Sequence, residues 1–518
     1  MRISSTAQRR RHPPQQFLGQ LLRTEYRNRT IVRCHVLIRH IPVLAMPLFS
    51  AAAMAAADDA FSTLDLVPPA VTGTVLPAGT GAPCSAAVGT GSPLALADVV
   101  ERALCNNPQT REAWANSRFE AAQYGSSRSA YRPTISATGS ASLNNTDGGS
   151  AKGSSSTYNQ ESAGIALGYV LYDFGARDAN LENARQVLTA ANATHDATLQ
   201  TVFLAAVQSF YQLFAAQAAV DSARESEKSD QESFNAATAR YNAGTGTPAD
   251  KLQAQTAYSQ AVLNRVRAEG DLRNARGILA NVMGLDANAP VEVAPPATLT
   301  PPLHFEEEVA RLIDAARSHR PDLSAAEAQI KAAQAGVVAA EASGKPTVSL
   351  STSLNFADSS IADSARNAAL GVQVSIPLFT GYNTTYRIRA AREQVAIKQA
   401  QREKLNLQIA LDVWKSYQGL ITETQSVRTS QDLLASATQS EKVALGRYKA
   451  GVGNILDVLT AQSALASARQ QHIQALYNWH IARAVLAQAM GQLDMTAIAA
   501  ITAVGSDTTP TTKPGHQP

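Results

Sequence analysis

The chain has 518 residues, of which 45 % are apolar but only 6 % are aromatic. Much of the apolar share is alanine, which favours long helices in close lateral contact over a globular core. The formal charge of +3 comes from residues 1–57, which carry nine arginines and one acid, a surplus of +8 that leaves −5 on the remainder. A mildly acidic body gives no electrostatic reason to bind nucleic acid, so that class of partner is excluded.

Residues 1–57 have the order of a secretory signal peptide. Arginines extend as far as Arg39, an uncharged apolar stretch covers 41–57, and small residues at 55–57 precede Asp58. The apolar stretch has 17 residues and two prolines, short of the roughly 20 that span a membrane as a helix. Export is therefore predicted. Beyond Ala57 we expect no transmembrane helix, so any membrane role must use strands.

Residues 58–92 are rich in Pro, Gly, Ala and Thr and are predicted to be a flexible segment. Cys84 lies in this segment, and Cys105 follows it. In an oxidising compartment the two cysteines could pair or could remain two small apolar residues, and their spacing does not decide between these alternatives.

The sequence after residue 92 is a duplication. Residues 240–284 and 447–491 align without a gap and share 18 identities at an offset of 207. We predict a first repeat at 93–291, a Pro-rich linker at 292–304, a second repeat at 305–495 and a flexible tail at 496–518. Each repeat is predicted as helix, strand, loop, strand, long helix, turn and helix. Copy one has six extra residues, assigned to a Gly/Ser-rich loop at 144–160.

Four predicted strands alternate apolar and polar residues over about ten positions, which is the pattern of an outer-membrane barrel strand. The alternative is a half-buried antiparallel sheet in a soluble protein. Four strands cannot close a pore alone, and lipid does not tolerate open strand edges, so a membrane role requires oligomerisation. The predicted outward-facing residues are Ile135, Ile165, Leu167, Val348, Leu350, Val372 and Val374.

Between the strands and the next proline, Pro248, the sequence predicts one helix from Gly175 to about Ala243, roughly 100 Å long at 1.5 Å per residue. Two adjacent apolar stripes follow this helix and its copy. Two stripes let a helix pack against two neighbours, as in a closed ring; the alternative is one wide stripe that faces an ordinary core. The stripes are Phe203, Ala206, Phe210, Leu213 and Val220 beside Leu204, Val207, Tyr211 and Phe214, and Ala410, Val413, Tyr417, Leu420 and Val427 beside Leu411, Trp414, Gln418 and Ile421.

The phrases RYNAG at 240–244 and RYKAG at 447–451 end the long helices. Gly244 and Gly451 occupy the C-terminal cap position, and Asp250 and Asp457 fall in the opening turns of the next helices, where a carboxylate suits the helix dipole. Two interpretations stay open: retention of helix caps, or contact of both hairpins with a common surface or mouth.

The tandem arrangement, the ArgTyr-x-AlaGly hairpins with Asp six residues after the Gly, and the strand ends LeuTyrAspPheGly at Leu171 and ProLeuPheThrGly at Pro377 resemble the TolC family of outer-membrane channels, including its CyaE-like secretion branch, over about residues 94–491. The resemblance implies an α+β membrane protein. Three copies would close a twelve-stranded transmembrane β-barrel, and the helices would extend it into the periplasm as an α-barrel.

The resemblance also implies partners and sites. The partners are two further copies of the chain, outer-membrane lipid, a periplasmic adaptor (membrane fusion) protein and an inner-membrane ABC or RND transporter. This chain has Gly453 and Thr460 where TolC has an arginine and a further aspartate near the entrance. The implied entrance residues are Asp250, Asp457 and Tyr448, and the implied adaptor-docking residues are Arg240, Tyr241, Gly244, Arg447 and Gly451.

The sequence shows no phosphate-binding loop, no metal-ligand spacing and no Ser-His-Asp or Cys-His arrangement, so no enzymatic activity, metal or cofactor is predicted. The predicted function is the exit duct of a type I secretion system or a tripartite efflux pump. The alternative is a soluble periplasmic coiled-coil scaffold or adaptor, which would be extracted without detergent.

Overall fold

A computed structural model describes residues 59–71, 93–146, 156–296 and 308–494. The fold below belongs to the compact unit Phe61–Pro518. The predicted signal peptide and the predicted C-terminal tail lie outside the described residues, as does Cys84. Cys105 is disulfide-bonded.

The helices and strands follow one order twice. The first series is α1 (Leu96–Asn106), α2 (Pro108–Ser129), β1 (Thr134–Thr146), β2 (Ser156–Tyr172), α3 (Ala176–Asn242) and α4 (Pro248–Val282). The second series is α5 (Val309–His319), α6 (Pro321–Ala342), β3 (Thr347–Ser359), β4 (Ala362–Ser375), α7 (Asn383–Lys449) and α8 (Ile455–Ala489). A short 3-10 turn, Thr63–Leu66, precedes both.

The four strands form one antiparallel sheet in the order β1-β2-β3-β4. The loop predicted at 144–160 is too long, because β1 continues to Thr146 and β2 begins at Ser156. Backbone pairing such as Asn144 with Tyr158 extends the hairpin, since a strand ladder does not need apolar side chains. β4 ends at Ser375, before the predicted strand end at Leu378.

The helices form a layer in which α3 contacts α2, α6, α4 and α8, while α7 contacts α5, α6 and α8. Both long helices have 67 residues, and α3 matches the predicted helix. A capped hairpin joins α3 to α4 and α7 to α8. The layer therefore has two free sides, one along α2 and α4 and the other along α7.

Beyond Ala57 the sequence analysis expected no helix that could cross a membrane, but one helix of the described residues, α3, is long and apolar enough to do so. Residues 197–220 carry no charge, and α3 contains an 18-residue window with mean hydropathy 1.3, of which 44 % is buried inside the protein. Composition alone does not separate a membrane span from a core helix. The partners of α3 are those of a core helix, since Phe203, Val207 and Phe210 are buried against other helices.

Residues 61–71, predicted to be flexible, are instead bound to the helices. The Trp114 ring nitrogen donates to the Pro68 carbonyl at 3.2 Å, Asn192 donates to the Leu66 carbonyl at 3.0 Å, and Val71 is buried in the main core. The start of the predicted linker is also ordered, because the Leu94 backbone bonds to Glu292 at 2.9 Å. Hydrogen bonds to backbone carbonyls, which sequence composition cannot reveal, hold both segments in place.

A buried histidine on α8 makes stability depend on pH. The His480 ring stacks on Tyr211, with centroids 4.6 Å apart, and makes an edge contact with the Trp479 ring, with centroids 4.8 Å apart. Burial, and then the charge of Arg483, lower the pKa of His480 to about 4. In the unfolded chain the pKa is about 6.5. The folded state therefore excludes a proton that the unfolded state binds between these two pH values.

We expect the free energy of unfolding to be unaffected by His480 above about pH 6.5 and to fall as the pH drops toward 4, by about 3 kcal/mol in total at 1.36 kcal/mol per pKa unit. Urea unfolding in detergent at several pH values measures the slope. His480→Phe keeps the ring against Tyr211 and removes the titration, so its slope should be shallower. Equal slopes in the two proteins would contradict this prediction.

Candidate functional site

One face of the sheet collects the apolar residues of all four strands. Ile135 pairs with Leu167, Ile165 pairs with Leu354, and Leu350 pairs with Val372. Directly paired residues share a face, and so do residues two apart along a strand. The structure therefore places all seven predicted outward-facing residues on one face: Ile135, Ile165, Leu167, Val348, Leu350, Val372 and Val374.

This apolar face is open in a single copy of the chain. The exposed fractions are 70 % for Ile135, 47 % for Ile165, 63 % for Val372 and 57 % for Val374. Leu167, Val348 and Leu350 are half-buried. A contiguous exposed apolar surface of this kind marks a contact with lipid or with another molecule.

The opposite face is polar and is lined by small residues. Ser351 pairs with Gly168 and Gly371, and Asn355 pairs with Gly164. A Cβ atom at Gly164 would lie 2.5 Å from the Asn355 side-chain oxygen, so a larger residue there would require the Asn355 side chain to move. Small polar residues on this face leave room for water beside the backbone.

Each strand-to-helix turn contains two successive residues in the left-handed region. In the first copy these are Phe174 (φ 54°) and Gly175 (φ 90°), and in the second they are Gly381 (φ 60°) and Tyr382 (φ 65°). An aromatic residue is held in the strained conformation each time. Exposed aromatic rings thus gather at the sheet end, since Tyr172 lies 4.7 Å from Phe174 between ring centroids.

The two hairpin ends have the same cap. The Gly244 and Thr245 amides donate to the carbonyls of Tyr241 and Arg240, both at distances near 3.0 Å. The amides of Gly451 and Val452 do the same to Tyr448 and Arg447. This is a Schellman motif, which requires a left-handed residue, and φ is 73° at Gly244 and 78° at Gly451. Capping therefore accounts for both glycines.

The arginine and the tyrosine of the repeated phrase meet across the two copies. Arg240 donates from its guanidinium to the Tyr448 carbonyl at 2.7 Å, and its Cζ atom lies 4.1 Å from the centre of the Tyr448 ring. Tyr448 is only 7 % exposed. Tyr241, which is 41 % exposed, has Lys251 over its ring at 5.4 Å. Arg447 is exposed and has no side-chain partner among the described residues.

The two predicted entrance aspartates have different local roles. Asp250 forms a capping box, accepting from the Thr247 amide at 3.1 Å while its own amide donates to the Thr247 hydroxyl at 3.1 Å. Asp457 is exposed, and Asn454 caps its helix instead by accepting from the Leu456 amide at 3.1 Å. The capping interpretation thus accounts for Asp250 but not for Asp457.

A polar contact near the hairpins escaped the sequence analysis. The Gln462 amide on α8 donates to the hydroxyls of Ser229 at 2.8 Å and Ser233 at 3.0 Å on α3. Gln462 and Ser233 are both buried. The available signal was the identity of Gln255 and Gln462 in the two copies, since a glutamine retained on an alanine-rich helix needs a partner.

Within the described ranges, no group of three or more His, Cys, Asp or Glu side chains is arranged to hold a metal ion. The described residues form an extended surface. It has an apolar sheet face at one end, long helices with free sides, and charged hairpin ends.

Comparison with known proteins identifies the class. A family model described as outer membrane efflux protein matches residues 99–285 and 312–492. Protein CyaE of Bordetella pertussis is 31 % identical over 436 residues, which are 83 % of this chain and 91 % of that protein. Outer membrane protein TolC of Vibrio cholerae is 24 % identical over 408 residues, 77 % of this chain and 91 % of that protein.

The fold agrees with these sequence relationships. The Campylobacter jejuni CmeC outer membrane channel superposes with a TM-score of 0.70 at 17 % identity, over 79 % of this chain and 89 % of that one. The architecture is thus that of an outer-membrane channel, mostly helical with a four-stranded sheet. The chain belongs to the outer membrane efflux protein family. The resemblance to the TolC family is confirmed, and with it an outer-membrane location with helices extending into the periplasm.

Proposed function

We propose that three copies of this chain form a closed outer-membrane duct through which a secretion or efflux system releases its cargo. The twelve strands of the three sheets would make the barrel, and the helices would continue it as a tunnel. The observation that carries the proposal is that the sheet and the helical layer each have two sides without a neighbour among the described residues.

The sheet supports this proposal through its edges. β1 and β4 are the outer strands, and each has one side without a strand neighbour among the described residues. Every residue of β4 is exposed. In lipid each backbone N–H or C=O group without a hydrogen-bond partner costs roughly several kcal/mol of free energy. A sheet in the membrane must therefore close into a barrel, which leaves no open edge. Pairing β4 of one copy with β1 of the next satisfies both edges.

The helices support the proposal through the second apolar stripe of each repeat, which begins at Leu204 on α3 and at Leu411 on α7. In α3 this stripe is covered, with Val207 fully buried and Tyr211 stacked on His480 of α8. The equivalent stripe of α7 is uncovered, with Leu411 42 % and Trp414 50 % exposed. A ring in which α7 meets the next copy would cover Leu411 and Trp414 as α8 covers the stripe of α3.

The free side of α4 offers the complementary surface. Leu252, Leu263 and Val266 lie on one face of that helix and are 61 %, 42 % and 48 % exposed. Joining unlike sides of successive copies gives a head-to-tail interface, which closes when the rotation divides a full turn. A layer with one free side on each flank is suited to a ring.

The hairpin ends are proposed as the periplasmic entrance, with Asp250, Asp457 and Tyr448 at the mouth. The arginine and glycine turns of the hairpins, including half-buried Arg240 and exposed Arg447 and Gly451, are proposed as the docking surface for a periplasmic adaptor. An inner-membrane ABC or RND transporter would supply the energy. The support for these partners is family membership together with the exposure of the hairpins.

The purified protein in planar lipid bilayers is expected to give discrete steps of ion current. Neutralising both aspartates, Asp250→Asn with Asp457→Asn, should lower the preference for cations because six negative charges would leave the mouth of a trimer. Asparagine keeps an oxygen that can cap the helix, so the change isolates charge.

A matched variant, Asp271→Asn, removes an exposed charge from α4 about 30 Å from Asp250 at 1.5 Å per residue, and should leave selectivity unchanged. A folded protein that gives no channels in bilayers would contradict the duct. Unchanged selectivity in a conducting double variant would remove only the entrance role of the aspartates.

A further inference from the structure

The two halves of one chain are joined by a polar interface near the hairpin ends. Arg240 on α3 reaches Tyr448 on α7, and Gln462 on α8 bonds to Ser229 and Ser233 on α3. In each contact the long helix of the first copy meets the second copy. These contacts join residues more than 200 positions apart in the chain.

All five of these residues have an identical counterpart in the other copy at the offset of 207. The counterparts of Arg240 and Tyr448 are Arg447 and Tyr241, and the counterpart of Gln462 is Gln255. The serines are repeated too, as Ser436 and Ser440. Each side of the interface is therefore present twice in the sequence, although the chain forms the interface once.

The second set of residues is unused within the chain. Arg447, Gln255, Ser436 and Ser440 are exposed, and none of them has a side-chain hydrogen bond or ion pair among the described residues. Gln462, their bonded relative, is 8 % exposed. A helix-cap role does not explain Gln255, Ser436 or Ser440, since these three residues lie inside α4 and α7.

The unused residues lie on the free sides of the helical layer. Ser436, Ser440, Val443 and Arg447 follow one another at spacings of four, three and four, so they form one stripe on α7. Gln255 lies three residues after exposed Leu252 on the free face of α4. The two halves of the unused interface therefore lie on opposite flanks of one chain, where they cannot meet each other.

We propose that this set forms the joint between neighbouring chains of the ring. Gln255 of one chain bonds to Ser436 and Ser440 of the next chain, and Arg447 of that next chain covers Tyr241 of the first chain. The proposal rests on the ring assembly proposed above and specifies which residues hold its hairpin end together. It also accounts for the presence of Arg, Tyr and Gln in both repeats, since one residue of each identical pair makes a contact within a chain and the other makes it between chains.

Cysteine cross-linking tests the joint. A chain carrying Gln255→Cys with Ser440→Cys, treated in detergent with a short bis-maleimide, should run on a denaturing gel as covalent dimers and trimers. The matched control is the internal pair, Gln462→Cys with Ser233→Cys, which has the same helical geometry and should stay at the mass of one chain. Variants with only one of the new cysteines control for the native thiols.

A second pair, Arg447→Cys with Tyr241→Cys, repeats the test at the other contact and should give the same ladder if the first pair is poorly assembled. The native mass of the unmodified protein in detergent separates the two proposals. An oligomeric protein whose exposed pairs yield no ladder overturns this joint while the ring stands. A monomeric protein overturns both the ring and the joint.

Discussion

Replacing Ile165 by arginine is expected to prevent assembly of the protein into the outer membrane. Ile165 lies near the middle of β2 on the apolar face, beside Ala137 and Leu354 on the adjacent strands. An arginine on the lipid face of a barrel costs about 2–4 kcal/mol near the bilayer midplane. In the proposed trimer each of the three chains would bear this cost. The three costs together are comparable with the whole stability of many domains.

The neighbouring residue provides the control. Ala166 points to the opposite face of β2, where its partners Ser136 and Ser353 are small and polar. Ala166→Arg is therefore expected to assemble at close to the normal level and to reduce cation conductance by placing positive charge on the water side. Heat-resistant oligomers in the membrane fraction measure assembly. Equal losses in the two variants would contradict the assignment of the faces.

Replacing Leu411 and Trp414 together by aspartate is expected to give a folded but monomeric protein. Both side chains are about half exposed in one chain, so their loss leaves the core of the chain intact. Burial of a large apolar side chain stabilises by roughly 1.5–3 kcal/mol, and two carboxylates in a closed joint add the cost of burying charge. The ring should lose both contributions at every joint between chains.

Position 207 on α3 is equivalent to position 414 on α7, but an aspartate there is expected to impair folding of the chain rather than its assembly. Val207 is fully buried in the core of the same chain, so Val207→Asp should reduce the amount of folded protein. Circular dichroism reports helix content, and sedimentation in detergent reports the number of chains. A Leu411 and Trp414 double variant that remains trimeric would remove this surface from the proposed joint.

The regular elements follow from local periodicity and were therefore predictable. A long run without proline, with apolar residues every three or four positions, predicted α3, and strict alternation placed Ile135, Leu350 and Val372 on one sheet face. The ends of the strands were less predictable. Backbone pairing carried β1 to Thr146 through polar residues, which the alternation of side chains does not report.

The contacts between the two repeats of the chain were not predictable from one sequence. Repetition showed that Arg240, Tyr448 and Gln462 had a reason to be retained, but not that the arginine of one copy reaches the tyrosine of the other. That pairing depends on which side of α3 packs on α8, a choice made by side-chain shape over the whole helix. The duplicated residues indicated the site, and only the packing showed the partners.

The left-handed turns at Phe174 and Tyr382 also carry a mechanical consequence. They fix the direction in which each 67-residue helix leaves the sheet. A helix of that length extends about 100 Å, so a rotation of about 6° at the turn swings its far end by about 10 Å. A small change of angle beside the membrane would therefore displace the hairpins far enough to widen the entrance that is proposed at the opposite end.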